Sequence, residues 1–315
     1  MSRYWDGEAQ PGGSFSYGVQ IGNLDFLLSG QAVPRYDFNL SKEDSILGDF
    51  SPNDIVREER TREQTGYEYS MNLDYLINAN SSARFNALSG LDDSKTEVDR
   101  WTTDLRIASN PVEVEREDND SDRDNWEIGG DYEYSFSNGN RFKILFIVNE
   151  SEDGQLRERF DVLASSEDKN LFLDTFSKNQ ERIVRSSYNM DLFEGQDIEV
   201  GIERAQTILN SNLRLAVNSS SGIPSADHGG LVPISVSNAN SKVEEIRVEP
   251  YLVHNWNLNS RMILESTIKF EDSEIEQSGD VFNKRNFDFF KPKVDYRFNI
   301  TPVLQFRGTV EKTVS

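Results

Sequence analysis

Residues 242–270 read KVEEIRVEPYLVHNWNLNSRMILESTIKF, and they contain the pattern that most of the chain repeats. From Ile246 to Trp256 the even positions carry no Asp, Glu, Lys or Arg, whereas the odd positions are mostly polar. A two-residue period places alternate side chains on opposite faces of a β-strand. The short connection 257–259 is followed by a second alternating segment, from Met262 to Phe270. The stretch therefore predicts a β-hairpin with one uncharged face and one polar face.

The height of this hairpin matches a lipid bilayer. Each arm has about ten residues, and at roughly 3.3 Å per residue and a tilt of about 45° it climbs about 23 Å. The apolar band of an outer-membrane β-barrel is about 25 Å tall. The spacing therefore predicts strands that are long enough to cross a membrane.

The same alternation recurs along the chain and predicts about twelve strands. The tight turns are expected near residues 22, 79, 139, 195, 258 and 300. Between the hairpins lie long polar stretches, at 36–62, 92–125, 149–180, 219–241 and 271–286, which we interpret as loops. Short turns on one side and long loops on the other are typical of outer-membrane barrels. A shift in the alternation between Arg204 and Leu213 predicts a β-bulge.

Composition narrows the possible functions. The chain has 315 residues and a formal net charge of -22, which argues against nucleic-acid binding because phosphates require cations. It has no cysteine and only two histidines, His228 and His254, so it offers no cysteine nucleophile and no cysteine or histidine metal cluster. No apolar run approaches the 18 or so residues that a membrane-spanning helix needs. The alternation is thus the membrane signal in this sequence.

A soluble antiparallel sandwich is the main alternative, since its strands also alternate. Two features favour the membrane interpretation. The face opposite the uncharged positions carries charges of both signs, such as Glu127, Arg247 and Arg297, as a water-filled lumen would. Aromatic residues also lie beside the predicted turns, where a membrane-interface girdle would place them. These aromatic residues are Tyr75, Tyr134, Phe136, Phe142, Phe193, Trp256, Tyr296 and Phe298.

The sequence contains no motif that would make it an enzyme. It lacks a Walker loop, a dinucleotide fingerprint, a His-Glu-x-x-His motif and a nucleophile elbow, so we predict no catalytic, cofactor-binding or metal residues. Glu127 and Asp131 suit a charged lumen wall better than an acid–base pair. We expect His254 to lie at a membrane interface rather than to bind a ligand.

The segment Asp118-x-Asp120-x-Asp122 begins like a calcium-binding loop. However, Arg123 stands where that loop needs glycine, and Gly129 stands where it needs glutamate. We therefore interpret the segment as a solvated acidic loop, with loose contacts to divalent cations or lipopolysaccharide as the alternative.

With these hairpins laid out, the chain resembles the barrel portion of the TonB-dependent receptor family, the ligand-gated transporters of the Gram-negative outer membrane. The resemblance lies in the hairpin rhythm and in three segments: GGSFSYG at 12–18, LDFLLSG at 24–30 and KVDYRF at 293–298. It implies an all-β, antiparallel up-and-down transmembrane β-barrel wall, with residues 1–13 as a lead-in. Residues 14–315 would form the strands, the long acidic extracellular loops and the short periplasmic turns.

The resemblance also implies a function and partners. The protein would be a receptor in the outer membrane of a Gram-negative bacterium that binds a scarce ligand, such as an iron chelate, cobalamin or a glycan, and imports it. Its partners would be outer-membrane lipid, lipopolysaccharide and an inner-membrane energising protein of the TonB type, which acts through a plug domain.

The sequence departs from the family in several ways. Family members have about twenty-two strands, a plug, a signal peptide, often a box that contacts the energising partner, and usually a terminal aromatic residue. Because the sequence shows none of these, we expect an incomplete, open part of a larger barrel that does not transport alone. A soluble acidic all-β binding or structural protein and a passive porin are the alternatives.

Overall fold

The computed structural model describes residues 2–3, 7 and 9–313, which are almost entirely β-strand. The strands in chain order are β1 Ser2–Arg3, β2 Ala9–Gln10, β3 Gly13–Ile21, β4 Leu24–Ile46, β5 Pro52–Asn78, β6 Ser81–Asp104, β7 Val112–Ser135, β8 Arg141–Val162, β9 Glu167–Phe193, β10 Gln196–Val217, β11 Val232–Pro233, β12 Asn240–Asn259, β13 Met262–Gly279, β14 Asn283–Thr301 and β15 Leu304–Glu311. A single 3₁₀ turn, Ala226–His228, precedes β11. Within these residues no helix is long and apolar enough to cross a membrane.

The long strands form one antiparallel up-and-down sheet. Each strand from β3 to β10 and from β12 to β15 pairs with its neighbours in sequence, and β10 pairs with β12. The short β11 pairs only with the end of β10, and β1 pairs with β2 in a separate ribbon. The sheet is open, with β3 and β15 at its edges. The predicted all-β up-and-down architecture with about twelve long strands is therefore confirmed.

The hairpin that decided the sequence interpretation forms as predicted. Strands β12 and β13 pair in register from Trp256 opposite Leu264 up to Val248 opposite Asp272. Three of the other tight turns contain a glycine with a positive φ, at Gly22, Gly139 and Gly195. Gly195, between β9 and β10, has a φ of 73°, and an added Cβ would lie 3.1 Å from the Asn257 carbonyl oxygen. Any larger residue at this turn would meet both a left-handed backbone and the neighbouring strand.

Uncharged side chains line up across the sheet on one face. One rung of directly opposed residues crosses nine strands without a charge, and it consists of Ile21, Leu24, Tyr75, Ala83, Tyr132, Ile144, Ser186, Ile202 and Pro250. We call the positions on this face, from the tight turns to the first charged residue of each strand, the uncharged band. The opposite side of the sheet is called the polar face.

The uncharged band is exposed. Ile144 is 40% exposed and Phe290 is 49% exposed, although both belong to the hydrophobic side of the sheet. Within the described ranges no second layer covers the uncharged band, and the one cluster of buried apolar residues, Phe172, Ala216 and Leu231, lies beyond the band, where the 218–239 connection covers the sheet. A sandwich would instead bury one face of each sheet in a core about 10 Å thick. The structure is therefore a single layer, unlike the soluble sandwich that was the main alternative.

The predicted bulge between Arg204 and Leu213 is wrong. Strands β9 and β10 pair without interruption from Arg204 opposite Val184 to Leu213 opposite Thr175, and their register shifts only at Gln196. Leu213 and Leu215 thus lie on the polar face. The alternation changes there because these residues lie beyond the uncharged band, where neither face has to be apolar.

Most stretches that the sequence analysis interpreted as long loops are strand. The connections at that end of the sheet are 47–51, 105–111, 163–166, 218–239 and 280–282. Cross-strand pairs accommodate the charges: Arg100 binds Glu58 at 2.8 Å, and Arg157 binds Glu117 at 2.7 Å. Because the backbone ladder and these pairs continue past the uncharged band, the strands extend well beyond it. The longest connection, 218–239, folds back so that Leu231 covers Phe172.

Candidate functional site

The polar face curves around a cavity. A space of about 800 Å³ is lined by residues of six consecutive strands, β5 to β10, together with the end of the 218–239 connection. A flat sheet could not bring six strands to one cavity, so the polar face is the concave one. The lining residues are Arg62, Gln64, Asp92, Ser94, Ser121, Asp122, Arg123, Asp153, Gly154, Gln155, Thr175, Phe176, Ser177, Ser211, Asn212, Leu213, Asn238 and Ala239. We call this space the polar cavity.

Two rungs of the sheet form the floor of the polar cavity. Strand pairing places the residues of each rung side by side, although they are up to about 150 positions apart in sequence. The first rung consists of Gln64, Ser94, Ser121, Gln155, Thr175 and Leu213, and the second consists of Asp92, Arg123, Asp153, Ser177 and Ser211. The floor thus presents hydroxyl, amide, carboxylate and guanidinium groups, with Leu213 as its one apolar member.

Hydrogen bonds hold these side chains in place but leave some of their capacity unused. Gln64 donates from Nε2 to both carboxylate oxygens of Asp92, at 2.6 and 2.8 Å, while its Oε1 is buried without a partner. Arg62 donates from Nε to Ser94 Oγ at 3.2 Å and forms no ion pair within residues 9–313. The cavity therefore offers the Arg62 guanidinium group to a polar ligand, while the buried Gln64 Oε1 keeps an unused acceptor position.

Nearer the tight turns, ion pairs cross-link the polar face. Glu249, only 7% exposed, accepts from Lys269 Nζ at 2.9 Å and from Lys291 Nζ at 3.3 Å. Lys291 also binds Glu271. Tyr251 donates its hydroxyl hydrogen to Glu199 at 2.7 Å. These residues lie at the height of the uncharged band, on the opposite side of the sheet.

Glu127 and Asp131 do not form an acid–base pair in the structure. Glu127 and Asp131 lie four residues apart on the polar face of β7, about 13 Å along the strand. Asp131 binds Arg84 at 3.0 Å and lies 3.8 Å from Lys143. Asp131 is thus one member of a cross-strand charge cluster.

The acidic triplet Asp118, Asp120 and Asp122 lies within strand β7, so its backbone cannot wrap around a calcium ion. Asp118 binds Arg116 at 3.2 Å. In the part of the chain that the structure describes, no three histidine or acidic side chains converge as metal ligands.

The two histidines have structural contacts. His254 lies in the uncharged band, with its Nε2 3.0 Å from Gln196 Oε1 and its ring stacked on Trp256. His228 lies in the 3₁₀ turn, with its ring centroid 6.3 Å from that of Phe172. His254 lies near the turn between β12 and β13, and its position at a membrane interface stays a prediction.

Sequence reasoning missed the polar cavity. Arg62 was placed at the end of a loop, and Asp92 and Arg123 were assigned to another. The cavity depends on pairing between strands that are far apart in sequence, and both faces of these strand segments are polar. No local alternation therefore indicated which residues share the concave face.

Comparison with known proteins finds only distant structural similarity. The fold is similar to that of the alcaligin outer membrane receptor FauA from Bordetella pertussis, with 11% identity, a TM-score of 0.38, and coverage of 92% of this chain and 41% of FauA. It is also similar to the ferric yersiniabactin uptake receptor FyuA from Yersinia pestis, with 8% identity, a TM-score of 0.34, and coverage of 95% and 58%. The chain thus spans about half the length of these receptors. Scores this low do not place the chain in a family.

No protein-family model matches the chain. No curated protein matches it either.

Replacement of Glu249 tests the cross-linking of the polar face. We expect Glu249→Ala to lower the free energy of unfolding by about 1–3 kcal/mol. The substitution removes the carboxylate that accepts hydrogen bonds from both Lys269 and Lys291. The matched control is Glu274→Ala, which removes a 2.7 Å pair with Lys284 in which both side chains are more than 40% exposed. Denaturant unfolding in detergent should show a clearly smaller loss for the control. Equal losses in the two variants would contradict the structural role of Glu249.

Proposed function

We propose that the chain forms the wall of an outer-membrane receptor of the TonB-dependent type in a Gram-negative bacterium. The observation that carries the proposal is the exposed uncharged band on a single-layer sheet. A largely apolar surface that crosses nine strands is unfavourable in water. An exposed surface of this kind usually marks an interaction site. Hydrocarbon chains would cover all of it at once.

The two faces of the sheet suit a barrel wall. The uncharged band would contact lipid, and the concave polar face would line a water-filled interior. Aromatic side chains also group beside a tight turn: Tyr134 and Phe136 pack edge to face at 4.8 Å, and Phe136 lies 5.8 Å from Tyr188. Such groups are typical of membrane interfaces. The tight turns would then face the periplasm, and the strand extensions would project outside the cell.

The open edges have to be paired in lipid, because unsatisfied backbone groups cost several kcal/mol there. In the proposed wall, β3 and β15 pair with each other or with further strands of a larger barrel.

The polar cavity would hold the ligand. Its volume of about 800 Å³ lies within the range of small-molecule sites, roughly 300–1,000 Å³. Because of its position beyond the uncharged band, it would open to the outside of the cell. A scarce polar ligand such as an iron chelate, cobalamin or a glycan would bind there. Import would require a plug domain and an energising partner of the TonB type.

Tryptophan depth tests the membrane placement. Trp126 and Trp256 lie at opposite ends of the uncharged band and are 39% and 37% exposed, whereas Trp101 lies far along β6 beyond it. In proteins that keep one tryptophan, with phenylalanine at the other tryptophan positions, we expect brominated lipid to quench Trp126 and Trp256. Aqueous acrylamide should quench Trp101 preferentially. Equal aqueous quenching of all three, with folding in plain buffer, would instead indicate a soluble protein.

Ligand binding tests the receptor function. We expect calorimetry in detergent to detect binding of at least one member of a panel of ferric chelates, cobalamin and oligosaccharides. Arg62→Gln should weaken that binding about tenfold, since it removes a charged donor from the cavity. Arg60→Gln, which changes a residue on the same face that does not line the cavity, is the control. A membrane-embedded chain that binds no member of the panel but conducts ions would indicate a passive porin.

A further inference from the structure

On the lipid-facing side, two neighbouring strands have an arginine at the boundary of the uncharged band, where most other strands have an acidic residue. On this side, the first charged residue beyond the uncharged band is acidic in most strands. These acidic residues are Glu63, Asp93, Asp124, Glu150, Glu244, Asp272 and Asp288. The exceptions are β4, where the first charged residue is Lys42, which is paired with Asp44 at 2.9 Å, and the adjacent strands β9 and β10, where these residues are Arg182 and Arg204. The boundary of the band is thus positive at this place and negative over most of its remaining length.

The two arginines are neighbours. Arg204 lies directly opposite Val184 and Val248, and Arg182 lies two residues before Val184 on the same face. Diagonal neighbours of this kind are roughly 7–8 Å apart. The rung of Arg182 also contains Val148 and Ile246. A pair of guanidinium groups therefore adjoins an aliphatic surface.

Both arginines are free to bind a ligand. Their side chains are exposed, and among residues 9–313 neither forms an ion pair or a side-chain hydrogen bond. Other cations near the boundary are already paired: Lys178 lies 2.9 Å from Glu150, and Lys242 lies 3.1 Å from Glu244. The unmatched positive charge is therefore concentrated on Arg182 and Arg204.

The acidic groups nearby are already hydrogen-bonded. Hydrogen bonds from Lys178 and Gln180 lower the pKa of Glu150. Hydrogen bonds from Gln206 and Lys242, with a smaller effect of the Arg182 charge, lower the pKa of Glu244. Both carboxylates therefore stay ionised and occupied near neutral pH, and neither has to turn to the arginines for a partner.

We propose that Arg182 and Arg204 form a binding site for the phosphate group of an anionic membrane lipid, whose acyl chains lie on the adjoining uncharged band. This inference rests on the proposed membrane placement and names one partner of the lipid-facing surface. Guanidinium groups bind phosphate oxygens through paired, charge-assisted hydrogen bonds. Long side chains at this height also reach the headgroup region while their stems stay on apolar surface. The acidic boundary elsewhere would repel the same headgroup, so the lipid would bind at β9 and β10.

The test uses the full chain in nonionic detergent micelles, with calorimetric titration by short-chain phosphatidic acid. We expect saturable binding at least about tenfold tighter than that of short-chain phosphatidylcholine, whose choline group offsets the phosphate charge. The double variant R182Q/R204Q should lose most of this preference. The control R57Q/R116Q removes the same charge from the same face but beyond the first charged residues of β5 and β7, and it should behave like the wild type.

The outcomes separate this inference from the proposed function. A chain that stays folded and monomeric without detergent would refute the membrane placement before any lipid is added. A chain that enters micelles but shows no preference for phosphatidic acid, or keeps it in R182Q/R204Q, would overturn the arginine site alone. Equally tight binding of inorganic phosphate would also overturn it, because the site would then recognise a free anion rather than a lipid.

Discussion

The structure depends on one constraint, the strict alternation of uncharged and polar side chains in strands that pair in register. Because side chains on a strand change face at every residue, a register shift of one would move charges into the uncharged band. The nine-strand rung from Ile21 to Pro250 contains no charge, so the registers of these nine strands are consistent with one another. This consistency keeps one side of a single layer apolar although no other protein layer covers it.

The polar face is stabilised differently. Its charges are paired across strands, as with Glu249 between Lys269 and Lys291, and the paired side chains shield one another from water. Farther along the strands, the concave curvature of this face produces the polar cavity. The surface that stabilises the wall at the height of the band thus continues into the surface that we propose binds the ligand. Arg62 and Gln64 retain unused hydrogen-bonding capacity there because their neighbours satisfy them only in part.

The sequence predicted the parts of the fold in which the two faces differ. The β12–β13 hairpin, the tight turns and the up-and-down order follow from alternation and from glycine or asparagine at the turns. Beyond the band both faces are polar, so residues 36–62 and 92–125 had the composition of loops even though backbone ladders and ion pairs make them strands. The supposed bulge before Leu213 arose in the same way. The cavity could not be predicted, since Gln64 and Thr175 share a rung only through the strands between them.

The central claim, that the uncharged band contacts hydrocarbon and the polar face contacts water, is tested most directly by placing one charge on each side of the sheet. Ile144, in the uncharged band, and Leu88, on the polar face, are each 40% exposed. Folding into lipid vesicles, followed by denaturant titration, would compare Ile144→Lys with Leu88→Lys. We predict that Ile144→Lys destabilises the bilayer-embedded protein by about 2–4 kcal/mol, whereas Leu88→Lys changes its stability by about 0.5 kcal/mol or less. Equal effects of the two substitutions would contradict the account.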